Sequence, residues 1–327
     1  MNKFVKKGLS IALAVGLIAT SFAGCAKINY VTGGAIKAIH EIKDGSWQNQ
    51  EEAASVNSDD DPVVLEESFK EGTYGGVEFK SLEDVAKYYV EAYDYTKSLT
   101  AEYIQEDGSK ATFYKLLGDE DMVLGDVMID GKSNSLINNL VPGIAGGLFK
   151  PNTYGLVPCY NRNPDMDNNS EDANKKADHD FRTSGVTAED ILDANIKDNG
   201  DGTITMIIQP KAGEMSTRGD DSAGRFFEVL GDIGGVIADI DMISFTQGDA
   251  LDNVKVTYKG GTVTVKINTE TKEIIEADYN MLAHIAVTHA SIAVIKDKSA
   301  SLIITYKNHY PASDQYLMEK KGIKRAN

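Results

Sequence analysis

The chain predicts an α+β fold, in which a curved antiparallel sheet of long strands (a C-terminal meander) is packed by several helices. Three observations carry that expectation. Residues 81–98 repeat their apolar side chains every three or four positions, as one face of a helix does. The last third of the chain alternates apolar and polar residues, the period of a half-buried strand. Clusters of Gly, Asn, Asp and Lys punctuate those runs where turns are needed.

The helical stretch "SLEDVAKYYVEAYDYTKS" opens with Ser81 and Asp84 at capping-box spacing, Asp standing where Glu or Gln is commoner. Val85, Tyr88, Tyr89 and Ala92 then form its apolar stripe. A strand pair follows, 101–105 and 111–117, around the turn "EDGSK". "SLINNLVPGIAGGLF" reads as a helical segment with Leu136, Leu140, Ile144 and Leu148 on one stripe and a kink at Pro142. "ANIKDNGDGTITMIIQP" is a hairpin in which Asn199, Gly200 and Gly202 form the turn. "RFFEVLGDIGGVIADI" offers a second apolar helical face, Phe226, Leu230, Ile233, Val236, Ile237 and Ile240. Gly231, Gly234 and Gly235 interrupt it, each costing up to about 1 kcal/mol relative to Ala.

In the final third, Val254, Val256 and Tyr258 alternate with polar residues, Gly260-Gly261 turns the chain, and Val263, Val265 and Ile267 resume the alternation. The run from Ile274 to Ile295 alternates poorly. Tyr279, Met281, Ile285 and Val287 fall on one face and Leu282, Ile292 and Val294 on the other, which predicts either two covered faces or a bulge. "KDKS" then turns, and Ala300 to Tyr306 returns. The expected organisation is a signal peptide over 1–24, a lipidated cysteine and acidic tether over 25–75, a single domain over 76–310 and a polar C-terminal tail over 311–327.

The N-terminus predicts where the protein sits. Lys3, Lys6 and Lys7 precede an apolar run, Leu9 to Ile18, shorter than the ~20 residues of a membrane span. Small residues lead into Phe22-Ala23-Gly24-Cys25, the order of a secretory signal. The site resembles the lipobox of bacterial lipoproteins, with Phe22 where Leu is usual. The resemblance implies cleavage before Cys25, a diacylglyceryl and fatty-acyl (palmitate) cap, and retention on the outer face of the cell membrane. The other reading is an ordinary cleaved signal with an incidental cysteine. Without residues 1–24 the chain holds 30 Lys and Arg against 50 Asp and Glu, a formal charge of −20. That charge repels phosphate backbones and makes nucleic acid a poor partner. It also opposes adsorption to an anionic bilayer, so the expected membrane contact is the N-terminal lipid.

"SLEDVAKYYVEAYDYTKS", "LINNLVPGIAGGLF" and "VTYKGGTVTVKINTETKEIIEADYNM" together resemble uncharacterised surface lipoproteins of Gram-positive-type bacteria, over roughly residues 80–308. That resemblance implies no activity and lends no catalytic residue. The architecture is more loosely similar to lipoprotein-carrier domains of the half-barrel type, an analogy of fold only.

Motifs for chemistry are missing or broken. "DMDNNSEDANKK" places Asp165, Asp167 and Asn169 as an EF-hand loop would, but Ser170 replaces the glycine and Lys176 the bidentate carboxylate. "KDNGDGTI" begins its ligand frame at Lys197, which a calcium site does not tolerate. Asp178-His179-Asp180 are adjacent and converge poorly on one ion; His284 and His289, five apart on a strand, point to opposite faces unless a bulge intervenes. HExxH, GxSxG, SxxK and the P-loop are absent. Cys159 has no partner cysteine beyond Cys25 and reads as a buried thiol. Arg218-Gly219-Asp220 is an integrin-type tripeptide in a loop-like setting. No cofactor or metal is expected. The functional expectation is a non-catalytic interaction or accessory module on the extracytoplasmic face, touching a surface protein. The alternative is a carrier or sensor of a hydrophobic small molecule, in an apolar pocket lined by Leu136, Leu140, Ile144, Leu148, Phe226, Leu230, Ile233 and Ile237.

Overall fold

The computed structural model describes residues 65, 67–133, 155–156, 183–229, 243–292 and 295–326. In chain order these form β1 (Gly72–Tyr74), β2 (Val77–Phe79), α1 (Leu82–Ser98), β3 (Thr100–Ile104), β4 (Lys110–Tyr114), β5 (Asp119–Leu124), β6 (Met128–Ile129) and β7 (Lys132–Ser133). After a single 3-10 turn at Ala188–Asp190 come β8 (Ile191–Asp198), β9 (Thr203–Pro210), β10 (Gly213–Glu214), α2 (Ser222–Phe226), β11 (Ile243–Phe245) and α3 (Ala250–Asn253). The chain ends with β12 (Val254–Asn268), β13 (Ile274–Ile292), β14 (Ile295–Tyr310), α4 (Asp314–Lys321) and β15 (Lys324–Arg325).

The main sheet runs β7-β6-β14-β13-β12-β9-β8, with β5 also on β14, β10 on β12 and β11 on β13. All its pairings are antiparallel. At 19 residues, β13 extends about 60 Å. The architecture is α+β with the sheet dominant. Among the described residues α1 is the one long helix on the main sheet, so the expected cover of several helices is reduced to α1 and short turns.

The sheet has two unlike faces. From Ala277 to Val287 the odd-numbered residues of β13 are buried, and they register with Val263, Val265, Ile304, Leu302 and Tyr310 on the neighbouring strands. The even-numbered side carries Asp278, Asn280, His284, Thr262, Thr264, Thr305 and Lys307 together with Leu282 and Ile303, most of them half-buried. An antiparallel sheet packed on one face and wetted on the other gives this alternation.

Bulges explain why the sequence pattern looked broken. Val254–Tyr258 and Val263–Ile267 are not two strands around Gly260-Gly261. They are one strand with an extra residue between Tyr258 and Gly261. The insertion switches the buried parity from even to odd and keeps both runs on the core face. Gly261 is required there, because a Cβ would lie 2.2 Å from the Asn280 carbonyl and 3.0 Å from the Phe227 ring. A further irregularity separates Val287 from Ala290, with His289 at φ 51°. The "KDKS" turn was also misplaced, for β14 already begins at Ile295.

The first helix forms as expected, with Val85, Tyr88, Tyr89 and Ala92 buried, but the capping box does not. Ser81 makes no side-chain cap, and the Asp84 carboxylate instead accepts the Lys80 N–H at 2.8 Å. The 101–105/111–117 pair and the "DNGDG" hairpin are present as β3–β4 and β8–β9.

Both ends of the expected domain move outward. Folded structure starts before residue 76. The Leu65 N–H donates to Gln209 Oε1 (3.3 Å), the Phe69 N–H to Asp193 Oδ1 (3.0 Å) and the Gly75 N–H to Asp198 Oδ2 (2.9 Å). Residues 311–326 are not a tail. Ser313 caps α4 by accepting the Tyr316 N–H, Gly322 closes it at φ 62°, and β15 pairs with β3. Leu317 and Ile323 join Tyr103, Leu117 and Ala312 in a second, small core.

Candidate functional site

Aromatic residues meet where α1 crosses the sheet. Tyr89 and Tyr279, 190 positions apart, share a hydrogen bond of 2.9 Å between their hydroxyls, and both side chains are buried. Phe226 lies 5.6 Å from the Tyr89 ring and Tyr93 lies 6.1 Å from it; Tyr310 meets Tyr279 edge-on at 6.2 Å. Burial pushes the Tyr89 phenol well above its usual range, and burial also raises Tyr279. At neutral pH the pair therefore joins helix to sheet as neutral hydroxyls, unsuited to giving up a proton.

Two charged groups sit at the C-terminal half of α1. Lys97 is 1% exposed. Its ammonium donates to the Leu156 carbonyl at 2.5 Å and stands 4.7 Å from the centre of the Tyr114 ring. The same carbonyl accepts the Tyr93 hydroxyl at 3.2 Å. A buried ammonium needs such company, since desolvation without it costs several kcal/mol. Asp94 accepts the Ser184 N–H at 2.7 Å, and its burial pushes the carboxyl up to about 6. Sequence reasoning missed both. The signal for Lys97 was present: it continues the i, i+4 series of Tyr89 and Tyr93 on the stripe the helix buries.

Of the eight residues expected to line an apolar pocket, the structure describes Phe226, which is fully buried against Tyr89 and Phe227. Leu136, Leu140, Ile144, Leu148, Leu230, Ile233 and Ile237 lie outside the described residues. So do Cys25, Cys159 and the loop bearing Asp165, Asp167, Asn169 and Asp178-His179-Asp180.

Arg218-Gly219-Asp220 is described, and its charged groups are engaged locally. Arg218 pairs with Glu228, and the Asp220 carboxylate accepts the Thr217 hydroxyl. The loop is closed by the Gly219 N–H on the Gly224 carbonyl (3.0 Å) and by Arg225 Nε on the Gly219 carbonyl (2.9 Å). Arg225 also reaches both oxygens of the buried Asp190 at 2.9 Å.

Two of the described histidines, His289 and His309, each pair with a carboxylate. His309 Nδ1 lies 2.7 Å from Asp278 on the wetted face of the sheet, and His289 Nδ1 lies 2.8 Å from Asp297. His289 sits in the bulge, so strand parity no longer assigns it a face against His284. Among the described residues no three His, Cys, Asp or Glu side chains are grouped to hold a metal ion, and no helix is long and apolar enough to cross a membrane. No family model, curated protein or solved structure matches the chain.

Proposed function

We propose that this protein is a lipid-anchored lipoprotein of the extracytoplasmic membrane face, whose folded body acts through its surface as a non-catalytic interaction or accessory module. One observation carries the reading: a basic start at Lys3, Lys6 and Lys7, a short apolar run, and Phe22-Ala23-Gly24-Cys25. A thiol at that position is the nucleophile a diacylglyceryl transfer needs, and two or more acyl chains suffice to hold a soluble body on a bilayer. The body offers a wide polar sheet face, with Thr262, Thr264, Thr305, Lys307 and His309, on which a protein partner can be read by hydrogen bonds.

The test is expression of the full chain in a bacterium fed labelled palmitate, beside Cys25→Ser. The expected result is label and membrane partition for the parent chain and neither for the variant. Equal labelling, or membrane retention of an unlabelled Cys25→Ser chain, sinks the anchor. Crosslinking from Lys307 of the anchored chain then tests the module reading, which predicts a discrete adduct with a surface protein.

A further inference from the structure

We propose that Asn199–Gly200, in the β8–β9 turn, is a latent deamidation and isoaspartate site that Thr203, Thr205 and Asp198 hold closed. It is the chain's one Asn–Gly pair. Asparagine before glycine is prone to this reaction because no side chain hinders the following nitrogen. The Gly200 nitrogen attacks Asn199 Cγ, the new N–C bond forms, the Cγ–Nδ2 bond breaks, and ammonia leaves with the amide proton. Water then opens the succinimide at either carbonyl, giving aspartate or isoaspartate. No reagent but water is consumed.

Both reacting groups are restrained. Asn199 Nδ2 donates to Thr203 Oγ1 at 2.9 Å and to Thr205 Oγ1 at 3.0 Å, so the leaving amide is tied toward β9. Asn199 Oδ1 accepts from the Thr205 hydroxyl at 3.3 Å. The Gly200 N–H points at Asp198 Oδ1, 2.8 Å away. The Gly200 and Gly75 N–H groups hold that carboxyl below its usual range, so it is ionised at neutral pH. A carboxylate against this N–H opposes loss of its proton, the step that makes the nitrogen nucleophilic. Gly200, at φ 73°, keeps the backbone freedom that makes the sequence vulnerable once the restraints go.

Conversion would be felt beyond the turn. Isoaspartate adds a carbon to the backbone beside the Asp198–Ile204 pair, and Asp198 is also the residue that holds the Gly75 N–H.

The test follows the full chain at mildly alkaline pH by peptide mapping. The comparison is with a free peptide of residues 195–207, Thr203→Val/Thr205→Val, and Thr203→Ser/Thr205→Ser. The parent chain should convert at least about tenfold more slowly than the peptide, about 1.4 kcal/mol in barrier. The valine pair should recover most of that difference, and the serine pair, which keeps both hydroxyl oxygens, should stay slow. Amide exchange over residues 204–208 reports whether the valine variant keeps its hairpin; if it does not, single Thr205→Val carries the comparison. A parent chain as fast as the peptide, or a folded valine variant as slow as the parent, overturns the proposal.

Discussion

The main sheet and the small C-terminal unit bury their apolar side chains by different means. In the main sheet, three strands of 15, 19 and 16 residues lie in sequence order, and α1 closes on them through the Tyr89–Tyr279 hydroxyl pair, with Phe226 of α2 against the Tyr89 ring. The small unit assembles β15, β3 and β4 with α4, bringing Leu317 and Ile323 into one cluster with Tyr103 and Leu117 across more than half the chain. Among the described residues its core has five buried members, few to set against the ordering entropy of four elements. The difference teaches that one unit carries the stability and the other borrows it, through Leu117 next to Gly118 and the Tyr310 ring that fills Gly118's missing side chain.

The largest effect expected is in the aromatic joint. Phe226→Ala should cost about 3–5 kcal/mol, read from urea unfolding as one cooperative transition. Leu317→Ala removes a side chain of similar burial from the small unit and should cost about 2–3 kcal/mol. Its loss should be local: exchange protection falls at Tyr103 and Ile104 while Ala277–Ile285 stay protected. Global unfolding by Leu317→Ala at the same denaturant as Phe226→Ala would erase the distinction between the two units.

A smaller effect lies in pH. Burial lifts Asp94 to about 6, above the unfolded carboxylate near 4, so the folded state binds the proton more tightly. Stability should then fall as pH rises from about 4 to about 6 and stay lower above. Asp94→Asn keeps an acceptor for the Ser184 N–H and should stabilise the chain above pH 6, by about 1 kcal/mol after allowing for its half-exposed position, with little change below pH 4. Least of all, Asp278→Asn should shift stability by about 0.5 kcal/mol or less, since its pair with His309 is exposed.

Local patterns were legible and their continuity was not. The stripe of α1, the β3–β4 and β8–β9 hairpins and the apolar runs of β12–β14 follow from spacing alone. A parity switch, however, looks the same whether a chain turns back or carries one extra residue. The pairing distinguishes them, since both halves of β12 register with the one strand β13, and the Asn280 carbonyl, too near Gly261 for a Cβ, says why a glycine stands at the insertion. α4 was hidden because Leu317 and Ile323 are too sparse to form a period, although Ser313 and Gly322 marked both its ends. In the candidate site, Tyr89 and Tyr279 were each read as buried, but no sequence spacing predicts their pairing. The partner that makes Lys97 tolerable in the core, the Leu156 carbonyl, lies 59 positions away, beyond the reach of helical spacing.

The N-terminal segment meets the sheet along β8 and its neighbour β9 through side chains: Asp193 and Asp198 of β8 and Gln209 of β9 each hold one N–H of the incoming backbone. Mechanically this is a zip. Tension drawn toward the N-terminus loads first the single bonds at Leu65 and Phe69, then the short β1–β2 ladder and the bond at Gly75. The ladders of β12–β14, which would have to shear many bonds together, are spared. A body moored through that segment would give way at its strap long before its sheet, and would re-seat when the pull stops.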